Sequence, residues 1–250
     1  MDFEHVKAVF EEYLNGYDRE NDKVKLKIVH TYGVIRCSEE IGQRMGLQAE
    51  DMELAKLIAL LHDIGRFEQL KRFNSFEADT MDHATYGVKV LFEEGMIRQF
   101  IEEDIWDDVI RTAIAKHSDY ELTGITDERT LLHARLIRDA DKLDNCRVKL
   151  EDAMETLLDL SADEVGKYAI SPKVREDAFA GKCICSKDRR TPMDYWVSYV
   201  AYFYDLNFQE TLDIVAEEQY VKRIIGRVPY TNEQTKKTME ELERQLTEYV

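Results

Sequence analysis

Proline is absent from the first 171 residues of this chain, and that absence is the strongest constraint on its fold. The three prolines, Pro172, Pro192 and Pro229, all fall in the last third, so no pyrrolidine ring forces a helix to break before them. Apolar residues recur in this region with a helical period, and strand-like alternation is scarce. The pattern predicts helices over 3–14, 20–44, 51–64, 79–94, 103–117 and 127–159. We therefore expect an all-α fold.

Glycines punctuate this helical part of the chain. Gly46, Gly65, Gly95 and Gly124 each follow a stretch with helical apolar spacing. A residue in the left-handed conformation commonly ends a helix, and glycine adopts that conformation without a steric penalty. We therefore expect all four glycines to act as C-caps.

The last third of the sequence is less regular. Residues 162–192 suggest short helices and loops, and two further helices follow, of which the first is rich in aromatic residues. We divide the chain into a helical domain over 1–160 and a helical extension over 161–250, which we expect to pack on the same core as a lid. The aromatic helix favours packing on the earlier bundle or on a partner chain, so a homodimer is left open.

Composition excludes several classes of protein. The chain has 250 residues, of which 44% are hydrophobic and 34% charged, as in ordinary globular proteins. No apolar run approaches the roughly 20 residues that span a bilayer, the first residues lack a signal peptide's basic flank, and the four cysteines suggest no disulfide framework. A net charge of −17 disfavours nucleic acid and anionic membranes as partners. We expect a cytoplasmic protein in which a small anionic ligand needs locally placed Arg or Lys.

The histidines indicate where chemistry is located. Four of the six, His30, His62, His83 and His117, fall in separate predicted helices, and metal ligands in a helical bundle must converge from different helices. His62 and Asp63 follow an apolar stripe in their helix. An imidazole and a carboxylate near a buried stripe are costly unless they are bonded, and a divalent cation would satisfy both.

Two other helices also present polar groups to the core. Ile110, Ile114 and His117 stand at i, i+4 and i+7, so the imidazole shares the core face. Asp141 shares an apolar face with Ile137 in the same way. A single histidine on such a face usually makes a hydrogen bond within the core, but chance explains the whole ordered set poorly. The sequence therefore predicts a metal site.

The order of these residues, H…HD…H…H…D, resembles the extended signature of the HD superfamily of metal-dependent phosphohydrolases. The resemblance rests on His30, on HDIGR at 62–66 and on Asp141 within RDADKLDNCR. It covers about residues 20–160. The DADKLDN run is also similar to the corresponding helix of guanosine-tetraphosphate hydrolases. The resemblance implies an HD-domain helical bundle with a C-terminal helical extension. Residues 161–250 carry no recognised motif.

The resemblance also implies a set of metal ligands. One ion would be held by His30, His62, Asp63 and Asp141. A second ion would use His83 and His117, with Asp63 bridging. Imidazole and carboxylate ligands without thiolate suit Mn, Fe, Co, Ni or Zn, so we expect one or two divalent transition-metal ions.

The same resemblance implies that the reaction is hydrolysis of a phosphate monoester or diester by metal-activated water. The substrate would be a nucleotide or a similar phosphorylated metabolite. Asp63 and Arg66 would be catalytic, with Arg66 also clamping a phosphoryl oxygen. Lys116, Lys142 and Arg147 are further candidates for substrate binding. Asp144 would orient a ligand or form a structural ion pair. The Gly-Tyr-Pro element of cyclic-dinucleotide phosphodiesterases is absent, which argues against that substrate.

Two other functions remain open from the sequence. The same ligands serve mixed-valent diiron oxygenases of the superfamily, so an oxygenase is one alternative. A nucleotide-binding regulatory module that kept the metal site without turnover is the other, although the presence of every expected ligand counts against it.

Overall fold

A computed structural model describes residues 1–77 and 79–250, and within these ranges the chain forms helices and no strands. The expectation of an all-α fold is thus confirmed. The described residues group into two compact units, Met1–Asp144 and Asn145–Val250, which divide within one long helix. The limit predicted at residue 160 and the lid role of residues 161–250 stay predictions.

The first unit carries the long helices that were predicted. Its helices are α1 (Phe3–Leu14), α2 (Asp22–Met45), α3 (Ala49–Leu61), α4 (Ile64–Phe73), α5 (His83–Val88), α6 (Ile97–Phe100), α7 (Asp107–Lys116) and α8 (Glu128–Glu151), of which α8 crosses into the second unit. A π-helical turn over Lys89–Glu93 continues α5. In this unit α2 packs against α3, α4 against α5, and α5 against α7.

The second unit is built mainly from shorter helices. They are α9 (Met154–Leu158), α10 (Ala162–Val165), α11 (Pro172–Phe179), α12 (Pro192–Ala201), α13 (Gln209–Glu217), α14 (Tyr220–Ile225) and α15 (Glu233–Tyr249). Pro172 and Pro192 each occupy the first position of a helix, where the missing N–H has no intrahelical partner to lose. None of the described helices is both long enough and apolar enough to cross a membrane.

Two predicted helices are interrupted. The helix predicted over 51–64 ends at Leu61, and α4 begins at Ile64 after a corner formed by His62 and Asp63. Asp63 leaves the helical conformation there, with φ −107° and ψ 19°. The helix predicted over 127–159 ends at Glu151 and is followed by the separate short helix α9. Apolar periodicity continues through both breaks, so it did not reveal them.

The expectation for the four glycines is correct at the end of α2 and at Gly95, which has a positive φ (+78°) just after the π-helical turn, but wrong at the other two positions. Gly46 is the left-handed C-cap of α2 (φ +72°). Gly124 has a positive φ but lies in a loop well after α7. Gly65 lies in the first turn of α4, where an added Cβ would stand 2.2 Å from the carbonyl oxygen of His83. Gly65 is therefore needed for the close approach of α4 and α5, which places His83 beside the corner at His62 and Asp63.

Candidate metal centre

The corner between α3 and α4 forms the middle of the candidate site. His62 and Asp63 are both buried there. The phenol of Tyr13 donates a hydrogen bond to the carbonyl of Ile64 at 2.9 Å, which anchors the start of α4 immediately after Asp63. The break in the helix therefore gives two adjacent polar residues a fixed position inside the first unit.

The first group of candidate ligands consists of His30, His62 and Asp141, which we call group 1. Its three ligand atoms lie within 4.8 Å of one another. The Nε2 atom of His30 is 2.9 Å from Oδ1 of Asp141, and Nε2 of His62 is 3.8 Å from the same oxygen. Asp141 is the most accessible member, with 24% of its side chain exposed. Residues from α2, α8 and the corner thus converge on one point.

The second group consists of Asp63, His83 and His117, which we call group 2, and its ligand atoms also lie within 4.8 Å of one another. Oδ1 of Asp63 is 3.2 Å from Nε2 of His83 and 3.6 Å from Nε2 of His117. The two imidazole Nε2 atoms are 3.1 Å apart. The other oxygen of Asp63, Oδ2, is 3.4 Å from Nε2 of His62. Asp63 therefore lies between the two groups, and one of its oxygens faces each.

The imidazoles of three histidines are oriented in the same way. His62 and His117 each form a hydrogen bond of 2.7 Å from Nδ1 to the carbonyl oxygen three residues earlier. His30 forms one of 2.7 Å from Nδ1 to Oδ2 of Asp144. Because these oxygens only accept, Nδ1 is the donor in each case and Nε2 is directed into the site. Metal-binding histidines typically have such a partner behind the ring.

Two atoms of the site are buried and have no hydrogen-bond partner among the described residues: Nε2 of His62 and Oδ1 of Asp63. A buried polar atom without a partner costs roughly 1–3 kcal/mol. The facing Nε2 atoms of His83 and His117 would likewise share a cation more readily than a single proton. The set of imidazoles and carboxylates therefore fits a divalent transition-metal ion at either group.

The protonation states of the site also suit metal binding. Burial alone would raise the pKa of Asp63, but the ammonium of Lys27 and the imidazole of His62 hold it well below its usual range. Burial would raise the pKa of Asp141 as well, but its contact with the imidazole of His30 and nearby positive charge lower it overall. Burial and the Arg66 guanidinium lower the pKa of His83 to about 3. The charged carboxylates and the neutral imidazole of His83 are in the forms that bind metal.

Arg66 lies at the edge of group 2. It is in the first turn of α4, three positions after Asp63. Its Nη2 atom is 3.0 Å from Nε2 of His83, and its Nε atom is 3.8 Å from Oδ1 of Asp63. The buried side chain of Gln69 and the carbonyl of Phe76 accept hydrogen bonds from Nη1. Arg66 thus supplies a fixed positive charge beside the site, with 15% of its side chain exposed.

Sequence reasoning missed Lys27. This residue lies in α2 one turn before His30, it is only 8% exposed, and its ammonium contacts Oδ2 of Asp63. Residues three apart share a face of a helix, so the spacing between Lys27 and His30 was a signal that could have placed both at the same site. A lysine in a helix that is rich in lysine is ordinarily assigned to solvent, which concealed this signal.

Asp144, for which the sequence left two roles open, lies directly behind His30. It is 3% exposed. An added Cβ on Gly33 would stand 1.9 Å from Oδ1 of Asp144, so glycine at this position of α2 makes room for the carboxylate. Asp144 therefore fixes the ring of His30 and belongs to the support of group 1.

The other basic residues predicted at the substrate site have different surroundings. Nζ of Lys116 is directed to Asp119 at 3.4 Å. Lys142 donates a hydrogen bond to the carbonyl of Arg138 at 3.5 Å. Arg147 is in the second unit and pairs with a glutamate one turn later, Glu151, at 3.0 Å. Their role in substrate binding stays a prediction.

Comparison with known families agrees with the geometry. Residues 28–146 match the family model of the HD domain, just under half of the chain, and the chain therefore contains an HD domain in this region. Both ligand groups lie within the matched residues, whereas Lys27 immediately precedes them. No curated protein and no solved structure matches the chain.

Proposed function

We propose that groups 1 and 2 form the active site of a metal-dependent phosphohydrolase, a phosphomonoesterase or phosphodiesterase acting on a nucleotide or a similar small phosphorylated metabolite. The observation that carries the proposal is the pairing of the two His/Asp groups on either side of Asp63 inside an HD domain. HD domains are mostly hydrolases that bind divalent metals. One or two ions would be held here, of Mn, Fe, Co, Ni or Zn.

Each residue of the site has a distinct task in this proposal. His30, His62 and Asp141 hold one ion, and Asp63, His83 and His117 hold the other. When bound, such an ion supplies Lewis acidity and makes hydroxide available near neutral pH. Asp144 keeps the ring of His30 in place.

Arg66 would bind the substrate. A guanidinium matches the geometry of phosphoryl oxygens and offsets negative charge that builds up during hydrolysis. The chain carries a net charge of −17, so an anionic substrate depends on local cations of this kind. Arg66 is well suited because Gln69 and Phe76 hold its guanidinium at the edge of group 2.

An oxygenase is the second candidate, and a feature of the site favours it. Each group contains two histidines and one carboxylate, which is also the ligand set of many non-haem iron enzymes that react with O2. Such an enzyme would contain iron and consume O2 with an organic substrate. A phosphohydrolase would release phosphate or nucleotide without O2.

The test uses the purified full chain, analysed for metal and assayed under anaerobic and aerobic conditions against nucleotides and simple phosphate esters. We expect phosphate or nucleotide release in both atmospheres, and its loss in His117→Gln. His5→Gln is the control, because His5 is exposed and its imidazole contacts the carbonyl of Gln99, which is not part of either ligand group. Activity that requires O2, or metal-loaded protein that is inert on every ester, would overturn the proposal in favour of the oxygenase or of a regulatory module.

A further inference from the structure

Lys27 is a charged residue at the centre of the site that the HD ligand pattern does not use. Its ammonium contacts Oδ2 of Asp63, and the side chain is 10% exposed. Burial of a lysine is costly unless its charge is paired. The contact with Asp63 supplies that pairing. The residue lies one position before the region that matches the HD family model.

The contact divides the two oxygens of Asp63 between different partners. Lys27 engages Oδ2, the oxygen that is 3.4 Å from Nε2 of His62 and so faces group 1. Oδ1 faces His83 and His117. When a carboxylate bridges two ions through both of its oxygens, it offers one oxygen to each. With Lys27 on Oδ2, Asp63 is available to group 2 and is withheld from group 1.

The charge of Lys27 acts on group 1 through space as well. The oxygen of Asp63 that its ammonium contacts is 3.4 Å from Nε2 of His62, which belongs to group 1. A positive charge this close opposes binding of a divalent cation, and it is poorly screened because the site is buried. The other cation of the site, Arg66, stands farther from Asp63, at 3.8 Å from the oxygen that faces group 2.

We propose that Lys27 is a positioning residue that holds Asp63 by Oδ2, so that group 1 binds a divalent cation through His30, His62 and Asp141 alone and with reduced affinity. The inference rests on the metal-binding part of the proposed function. Lys27 thereby makes the two groups unequal, and it gives Asp63 a counter-charge within the site.

The experiment measures metal binding by the full chain after removal of metal with a chelator. Mn²⁺ affinity is measured by calorimetric titration, and Co²⁺ is titrated while its visible absorption spectrum, which reports coordination, is recorded. Lys27→Met removes both the charge and the hydrogen-bond donor. Lys27→Gln removes the charge but keeps a hydrogen-bond donor for Oδ2. If Lys27→Met does not fold, the Mn²⁺ affinity of Lys27→Gln tests the proposal.

Lys56→Met is the matched control. Lys56 is also a largely buried lysine of the first unit, with 14% of its side chain exposed, and it pairs with Glu53 at 3.0 Å and lies over the ring of Phe3 at 4.3 Å. Its partners include no member of either ligand group, so its replacement tests the effect of losing a buried ammonium elsewhere.

We expect Lys27→Met to bind Mn²⁺ about tenfold more tightly than the unmodified chain, or more, because a repelling charge is removed and Oδ2 is released. Its Co²⁺ spectrum should change, whereas those of Lys27→Gln and Lys56→Met should not. Lys27→Gln should bind Mn²⁺ more tightly than Lys56→Met but less tightly than Lys27→Met. The melting temperature of the metal-free protein should fall in Lys27→Met, yet its rise on adding Mn²⁺ should exceed that of the unmodified chain.

A purely structural lysine would behave differently. Folded Lys27 variants that bind Mn²⁺ no more tightly than Lys56→Met, with unchanged Co²⁺ spectra, would overturn the role of Lys27 while leaving the proposed function intact. If the unmodified chain itself binds neither Mn²⁺ nor Co²⁺, the proposed function fails, and the inference fails with it.

Discussion

Both units bury aspartates, and two of these carboxylates, one in each unit, have opposite surroundings. In the second unit Asp194 is fully buried near the start of α12. It accepts hydrogen bonds from the backbone N–H and the hydroxyl of Ser171 at 2.8 and 2.7 Å, and from the N–H groups of Arg190 and Thr191 at 2.8 and 2.9 Å. Two donors from just before α12 and two from Ser171, three of the four being backbone amides, thus surround the carboxylate.

In the first unit Asp63 is surrounded by side chains from distant parts of the sequence instead. Imidazoles and the ammonium of Lys27 face it, and its Oδ1 atom has no hydrogen bond within the described ranges. A carboxylate that backbone amides and a hydroxyl satisfy holds a fold together. One that faces several imidazoles has room in its coordination for a metal ion, and under the proposed function this difference separates a structural aspartate from a metal-binding one.

Replacing each aspartate by asparagine tests this contrast and should give the largest effects. Asp63→Asn should lower Mn²⁺ affinity and any hydrolysis more than about 100-fold, beyond the range known for residues that merely support a ligand. Asp194→Asn should leave Mn²⁺ affinity unchanged. It should lower the free energy of unfolding by about 2 kcal/mol, because the NH2 group of asparagine would face the N–H and O–H donors that now bind the carboxylate. Titration calorimetry and urea denaturation measure the two quantities. Equal effects on metal affinity would show that the contrast is not functional.

Asp144 is the intermediate case, because it is a buried aspartate that bonds an imidazole without facing either group directly. Asp144→Asn should lower Mn²⁺ affinity about 10- to 100-fold. Gly33→Ala should act in the same direction, since its Cβ would stand 1.9 Å from Oδ1 of Asp144. Gly16→Ala is the control, as its Cβ would meet only the carbonyl of Tyr13 at an ordinary 3.5 Å. Calorimetric titration checks all three, and unaltered affinity in Asp144→Asn would remove Asp144 from the support of group 1.

The smallest effect is expected for replacement of His133, and it concerns the pH dependence of stability. The Nε2 atom of His133 is 3.0 Å from Oδ1 of Asp51 in the first unit. Burial lowers the pKa of His133 although the bond to Asp51 opposes the shift. As pH falls below about 6.5, the unfolded chain therefore takes up a proton that the folded chain does not, and stability decreases. Burial would raise the pKa of Asp51, but its bonds from His133 and Arg129 lower it overall, so its contribution is lost only at more acidic pH.

His133→Gln should accordingly flatten the decrease in melting temperature between pH 7 and roughly pH 5, with Mn²⁺ affinity at neutral pH unchanged. Melting curves of the metal-free protein at several pH values measure this. A pH dependence as steep as that of the unmodified chain would mean that other groups cause it. A loss of metal affinity would mean that this histidine belongs with the functional set.

Sequence patterns located the helices and the candidate ligands but not the breaks between the helices. The helical period runs through the corner at His62 and Asp63, where φ and ψ of one residue change the direction of the chain. Gly65 was wrongly assigned to a helix end. Its actual constraint is the close approach of α5, which the sequence of its own helix does not show. Lys27 was missed for the same reason, since its partner is 36 positions away, at Asp63.

The amino-acid sequence by itself determined that the chain is helical and that imidazoles and carboxylates fall on the inner faces of several helices, because periodicity and residue type are local properties. Only the tertiary structure decided which of those side chains meet, which oxygen of Asp63 faces which group, and that Lys27 joins them. Those outcomes depend on backbone approach and on charge pairing between distant segments, and no local pattern encodes them.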